Sequence, residues 1–487
     1  MAQPFVEPCS RGVIAAEPCP RELGREIPPE RRRMVLAACV LASSMAFIDG
    51  SALTVALPRL RADLSADLAS VQWVLNGYVL ALASLTLIGG ALADVHGKSR
   101  MLSLGCILFG LASAACALAP SAAWLIAARV VQGTAAAIVA PASLALIGAI
   151  YPRAERNRAI GMWAAASALT TAGGPVLGGW LTETFGWPSV FWINPPLALI
   201  AVGILVVFAP EDRREPRRFD MIGAALLAAA LGALAWALSQ VGPIEPQAAT
   251  GAPSRSSAAI TIVAGLGIVA LVLYGLWERR SDHPMTPPRL IENRAFFGLN
   301  LATLMVYGGL SIMFFLLPFD LVDRRALPST DAGLAFLPFT LGVGLLSRVF
   351  GGLADRTGAR ALLIAGPAGA ALAYLWMALG QDASLMFGVI GPMALLGLSF
   401  AVLVAPLTAS VMSSVAQADE GLASGINNAA SRIAQLVGVA LAAGVASFAG
   451  GYEVGLAAAA VVSIGGALTV AATVPPTAVR SNGLQQP

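Results

Sequence analysis

The 487-residue chain is 57% hydrophobic and 12% charged, with a net charge of +3 and a mean hydropathy of +0.77. A soluble globular chain carries about 25% charged residues, so the composition excludes a soluble enzyme or nucleic-acid binder and marks a membrane protein. The apolar runs are roughly 20 residues long, the length of a spanning helix and not of a barrel strand.

Apolar runs bounded by charges or turn residues predict fourteen spans. They cover 34–57, 72–93, 101–119, 122–149, 158–181, 189–209, 218–240, 259–278, 296–318, 330–353, 360–379, 384–412, 421–449 and 453–474. Residues 1–33 read as a disordered cytoplasmic head and 475–487 as a cytoplasmic tail. With the N-terminus inside, 22 of the 30 basic residues fall on inner segments and 5 on outer ones. This bias favours both termini on the cytoplasmic side of the cell inner (plasma) membrane. Cys9 and Cys19 lie in the head, and the histidines are His96 and His283. A zinc site needs four ligands, so no metal and no cofactor is expected.

Two charged glycine turns interrupt the apolar runs, Gly90–Arg100 and Gly351–Arg360, with Asp94 and Asp355 separated by 261 residues. The stretch 154–162 echoes 418–426 at an offset of 264, and Pro141 matches Pro406 at 265. Spans 1–6 therefore repeat as spans 9–14 in the same sense. This predicts two six-helix bundles, 34–209 and 296–474. The linker 210–295 then holds an inserted pair of helices. Parallel repeats with a site at their interface are the pattern of alternating-access transporters. Gly97 suits a tight reversal with positive φ.

Asp49 sits well inside span one, about 12 Å from its outer end, and Arg129 about 10 Å from the outer end of span four, at 1.5 Å per residue. A mid-membrane carboxylate costs about 2.5–3.5 kcal/mol on insertion scales and ordinarily has a partner and a function. The similar depths pair Asp49 with Arg129. A nearby cation favours the charged carboxylate and separation favours the neutral acid, so the pair can act as a proton switch. A static packing pair is the alternative. Asp320, near the outer end of span nine, reads as either a second protonation site or an interfacial loop residue. Arg432 in span thirteen reads as structural.

Four stretches together resemble the fourteen-span drug:proton antiporters (EmrB/QacA type) of the major facilitator superfamily, over about residues 34–474. Gly90-Ala91-Leu92-Ala93-Asp94-Val95-His96-Gly97-Lys98 is similar to the family's loop between spans two and three, with Val95 where a base is usual. Ile48-Asp49-Gly50 through Leu57-Pro58 resembles its span-one stretch, and Leu125-x3-Arg129-x2-Gln132-Gly133 its buried-arginine stretch. Gly174-Pro175-Val176-Leu177-Gly178-Gly179 resembles the antiporter motif of exporters. Trp187-Pro188-Ser189-Val190-Phe191-Trp192-Ile193-Asn194-Pro195 is a weaker match, with Pro188 in place of an Arg.

The resemblance implies an all-α major facilitator fold and proton-coupled export of small amphipathic or lipophilic compounds. It implies a cytoplasmic latch of Gly90, Asp94, Gly97 and Lys98 with Asp355, Arg356 and Gly358, and proton coupling through Asp49 and Arg129. Gly174, Pro175, Gly178 and Gly179 would form the export motif. Candidate cavity residues are Gln72, Asn76, Tyr78, Trp163, Tyr307, Phe314 and Asn427, each as well explained by packing. A single deep acid disfavours dications and leaves neutral or monocationic lipophiles. Expected partners are lipid, a small-molecule substrate and protons. No nucleic acid is expected, and the sequence does not decide whether a periplasmic adaptor takes part. A metabolite exporter or importer on the same fold, and a non-transporting sensor, are the rival readings. No nucleophile–base pair or nucleotide loop supports an enzyme.

Overall fold

The protein is described by a computed structural model covering residues 27–210, 220–239, 257–281, 288–415, 420–446 and 450–475. The head up to residue 26 with Cys9 and Cys19, the loop 240–256 and the tail beyond Pro475 lie outside the described residues. Among the described residues all regular structure is helical. The first seven helices are α1 (Pro29–Asp63), α2 (Leu68–His96), α3 (Lys98–Ala117), α4 (Ala122–Ile150), α5 (Arg153–Phe185), α6 (Ser189–Trp192) and α7 (Asn194–Phe208). A pair follows, α8 (Met221–Ser239) and α9 (Ser257–Glu278), then the short α10 (Pro288–Ile291). The last group is α11 (Arg294–Phe319), α12 (Ser329–Leu334), α13 (Leu337–Thr357), α14 (Ala359–Leu379), α15 (Gly391–Ser413), α16 (Glu420–Ala446) and α17 (Gly451–Thr473).

All fourteen predicted spans fall on helix. Among the described residues, eleven stretches are long and apolar enough to cross a membrane. The other three spans fall on α5, α8 and α16. α5 opens with Arg153, Glu155 and Arg156, α8 has an apolar run of only 222–238, and α16 carries Asn427, Asn428, Ser431, Arg432 and Gln435. Proline accounts for two broken spans. Pro195 and Pro196 open α7, and Pro338 opens α13, because in the first turn of a helix a missing N–H leaves no helical hydrogen bond unmade. Span nine ends in a π turn at Asp320–Arg324, and span twelve begins in one at Met386–Ile390. α1 starts at Pro29, five residues before the predicted edge, with Glu30 in its first turn, where the helix dipole favours an acid.

The turn glycines behave as their chemistry requires. Gly97 takes φ +104° between α2 and α3, and Gly358 takes φ +91° between α13 and α14. Each caps the preceding helix through the carbonyl four residues back, Ala93 and Ala354.

Helices α1–α7 pack mainly on one another, led by α2 on α4 and α1 on α5; α11–α17 repeat the arrangement with α13 on α15 and α11 on α16. α8 and α9 pair together, and α8 leans on α2 and α16. α1 and α5 start side by side, with Arg32 Nη1 3.3 Å from Glu155 Oε2. We call this end the terminal face and the opposite end the far face.

At the far face the end of α5 meets α12. Ser329 N donates to Glu183 Oε2 (2.9 Å), and Arg59 lies 3.8 Å from the same carboxylate oxygen.

Candidate functional site

Asp49 and Arg129 are both fully buried and form a direct ion pair between α1 and α4, Arg129 Nη1 donating to Asp49 Oδ2. The same Nη1 donates to Gln132 Oε1 (2.8 Å), one turn along α4, and Gln132 Nε2 donates to Asp49 Oδ1 (2.8 Å). The three side chains close a ring. Asn194 Nδ2, at the start of α7, adds a third donor to the carboxylate (3.3 Å to Oδ1) and also donates to Ser113 Oγ of α3 (2.9 Å). Ser113 in turn donates to Phe191 O (2.8 Å). Arg129 Nε donates to Val74 O (3.0 Å), and the Arg129 guanidinium carbon lies 4.2 Å from the Tyr78 ring centroid. That face-on placement is a cation–π contact.

The electrostatics follow from this list. A buried ion pair holds only when its spare lone pairs and protons are matched. Asp49 takes three donors, two on Oδ1 and one on Oδ2, which leaves one of its roughly four lone-pair sites free. Arg129 keeps Val74 O, Gln132 Oε1 and the Tyr78 ring, so it has partners when Asp49 does not need it. Gln132, Asn194 and Ser113 complete the site without standing out in sequence, although Gln132 and Asn194 lie within the quoted stretches.

Glycines set how closely the helices approach. A Cβ on Gly174 would lie 1.8 Å from Ser51 Oγ, and one on Gly178 would lie 2.2 Å from Ala52 O, so α5 rests directly on the segment of α1 just after Asp49. A Cβ on Gly179 would strike Ser329 O (2.2 Å), and one on Gly333 would strike Pro175 O (2.4 Å). The second bundle makes the matching contact between its own first and fifth members: a Cβ on Gly438 of α16 would lie 2.5 Å from Gly308 O of α11. Pro175 is buried within α5, and Val439 stands at its repeat position.

The remaining sequence candidates are dispersed. Gln72 and Asn76 are fully buried on α2. Tyr78 sits against Arg129, so it belongs to the ion-pair site. Trp163 Nε1 donates to Ser43 Oγ (2.9 Å). Tyr307 and Phe314 belong to an aromatic run with Phe336, Phe339 and Phe400, at centroid distances of 5.1–5.9 Å. Asn427 Nδ2 donates to Asn300 Oδ1 (3.1 Å) and Thr303 Oγ1 (2.8 Å) of α11. A cavity of about 400 Å³ opens beside Thr357, Arg360, Ser410 and Ser413, and another of about 330 Å³ beside Asp320, Arg324 and Tyr452. Neither is lined by any of the seven cavity candidates.

Among the latch residues, Gly90 packs on Pro141, Lys98 is half-buried and Arg356 is exposed. The side chains of Asp94 and Asp355 lie outside the described residues. Asp320 is clamped. Its carboxylate accepts from Arg324 Nε and from Arg325 Nε (2.9 Å), and both arginines reach the loop after α14. That cage gives Asp320 a structural role at the π turn.

Two repeated helical bundles, with a charged ring buried between helices of the first, define a membrane transporter of the secondary-carrier type. The sequence profile of the Major Facilitator Superfamily matches residues 39–298 and 299–486, and the chain belongs to that family. Its relatives include resistance and export proteins. It is 34% identical to the multidrug resistance protein Stp of Mycobacterium tuberculosis over 84% of this chain and 74% of that one. It is 35% identical to the cephamycin export protein CmcT of Amycolatopsis lactamdurans over 83% of each. Among solved structures, the peptide transporter POT in complex with sulfate superposes with a TM-score of 0.67 at 14% identity, covering 92% of this chain and 96% of that one. The xylose transporter XylE of E. coli, in a partially occluded inward-open conformation, superposes at 0.61 and 15% identity, covering 91% and 100%. At such identities the likeness is one of fold.

Proposed function

We propose that this protein exports small amphipathic compounds, such as antibiotics, from the cytoplasm in exchange for protons. The observation that carries the reading is the closed ring of Asp49, Arg129 and Gln132, buried between α1 and α4. Intramembrane charges are expensive and face a functional path by default. Asp49 is the proton carrier. Arg129 holds the unprotonated carboxylate, and on protonation it keeps Gln132, Val74 O and the Tyr78 ring. The drug and antibiotic resistance proteins among the relatives support the substrate class.

The basic-residue bias supports an inner-membrane protein with both termini cytoplasmic, so the terminal face is the cytoplasmic one. The far-face contact of α5 with α12 then belongs to a conformation closed to the outside. In the opposite conformation, the two glycine turns at Gly97 and Gly358, with Asp94 and Asp355, latch the cytoplasmic side. Gly174, Gly178 and Gly179 let α5 act as the pivot, since it rests on α1 within its own bundle and on α12 across the interface. The protein acts as a carrier.

The test is accumulation of lipophilic antibiotics in inverted membrane vesicles under an imposed pH gradient. Wild type should accumulate them and Asp49→Asn should not. Gradient-independent accumulation, or equal accumulation by the variant, would refute the coupling role of Asp49.

A further inference from the structure

α16 carries a polar stripe that the proton site does not use. Asn428, Ser431, Arg432 and Gln435 fall within about 100° of helix circumference at 3.6 residues per turn. The other sides of α16 are occupied. Gly438 packs on Gly308 of α11, while Ile433 and Leu436 pack with Val79 and Leu80 of α2 and Leu231 of α8. The stripe therefore opens between α2 and α11, where the two bundles meet. Asn428 is exposed there, and Arg432 and Gln435 are half-buried. Arg432 Nη1 donates to Gln435 Oε1 (3.2 Å). Its electrostatic neighbours are the phenols of Tyr78 from the first bundle and Tyr307 from the second. Among the described residues no carboxylate neutralises it.

A second observation lies on α2. Gln72 and Asn76 share the α2 face that carries Val79, one of the residues packed against α16. Both side chains are fully buried, and all four of their amide atoms lack a protein partner. Buried polar groups are ordinarily satisfied by protein, water or ligand. These two unpartnered amides lie on α2 one and two turns before Val79, so the α2 face turned toward α16 is polar there as well.

We infer that Arg432, set between the phenols of Tyr78 and Tyr307, forms the head-group subsite of the transport path and takes an oxyanion, typified by the carboxylate of an amphipathic substrate. The inference rests on the transport reading above and narrows its substrate class. The planar fork of arginine matches a carboxylate bidentately. The same positive charge disfavours the monocations that a single deep acid left open. The aromatic run of Tyr307, Phe314, Phe339 and Phe400 offers the apolar part of such a compound a surface. Tyr78 neighbours both guanidiniums, so one side chain separates the anion subsite from the proton site. Arg432 thereby acts as a substrate-contacting residue, in place of the structural role its sequence context suggests.

The test uses purified full-length protein in detergent and two matched probes, 1-pyrenebutyrate and its methyl ester, with binding read by energy transfer from tryptophan to pyrene. Wild type should bind the acid about 10- to 100-fold more tightly than the ester, the range of a hydrogen bond to a charged group. Arg432→Gln should lose that preference while its affinity for the ester stays unchanged, which also shows that the variant is folded. Arg432→Lys should retain part of the preference. Failure of wild type to bind the acid, equal binding of acid and ester, or a preference surviving in Arg432→Gln would overturn the subsite. Asp49→Asn separates the two readings: it should keep the acid preference while losing proton-driven accumulation. Normal coupling without acid preference would sink only the anion subsite, and acid preference without coupling only the proton reading.

Discussion

Two glycines in α5 should respond in opposite ways to the addition of one methyl group. A Cβ at Gly178 would lie 2.2 Å from Ala52 O and 2.7 Å from Ala52 Cα, all backbone atoms that cannot rotate aside. An ordinary carbon–oxygen contact needs about 3.3 Å. Gly178→Ala must therefore push α5 from α1 by about 1 Å, three residues along α1 from Asp49. Overpacking of this kind costs about 1–3 kcal/mol. At Gly173 an added Cβ would meet nothing within 4 Å. There the exchange should recover the helix penalty of glycine, about 0.5–1 kcal/mol. Thermal unfolding in detergent, followed by tryptophan fluorescence, should thus show Gly178→Ala melting below wild type and Gly173→Ala at or above it. Vesicle transport should fall in the first and persist in the second. Equal behaviour of the two variants would refute the claim that α5 and α1 touch backbone to backbone at this point.

Further outcomes follow from the same contacts. Gln132→Leu strips one donor from Asp49 and one acceptor from Arg129, and should lower stability by about 1–3 kcal/mol, measured by unfolding in detergent. Asp320→Asn leaves Arg324 and Arg325 crowded around a neutral group. Breaking a buried pair costs about 3–5 kcal/mol, so the variant should unfold early, yet its proton stoichiometry should match wild type. A lost proton would revive Asp320 as a coupling site. Glu183→Gln weakens the far-face contact to Ser329 and Arg59. Half-exposed pairs are worth about 0–1 kcal/mol, so spin-label distances between α5 and α12 should show only a modest gain in far-face opening.

Much of this architecture is legible in the chain because few forces shape it. Long apolar runs between charges locate the helices, and the recurrence of Asp94 at Asp355 exposes the repeat. Depth arithmetic alone brings Asp49 level with Arg129, and the structure joins them. Local chemistry is legible where one residue has no substitute, as at Gly97 and Gly358 with their positive φ. What is not legible is lateral choice. Gln132, Asn194 and Ser113 are neutral residues of a kind common in membrane helices. Their roles come from partners on helices up to 145 residues away, and no period in the sequence reports that. Tyr78 could line a cavity by its position, and only the packing of α2 on α4 sets its ring on Arg129. The breaks at Pro195 and Pro338 are readable as proline effects once the spans are known, but hydropathy runs straight through them.

The central claim is that Asp49 carries the exchanged proton. Its most direct test is proton release from purified protein in weakly buffered detergent, followed with a pH-sensitive dye as a bound substrate is added. The account predicts close to one proton released per substrate bound in wild type, and none from Asp49→Asn at matched occupancy. Proton release that persists undiminished in Asp49→Asn would contradict it.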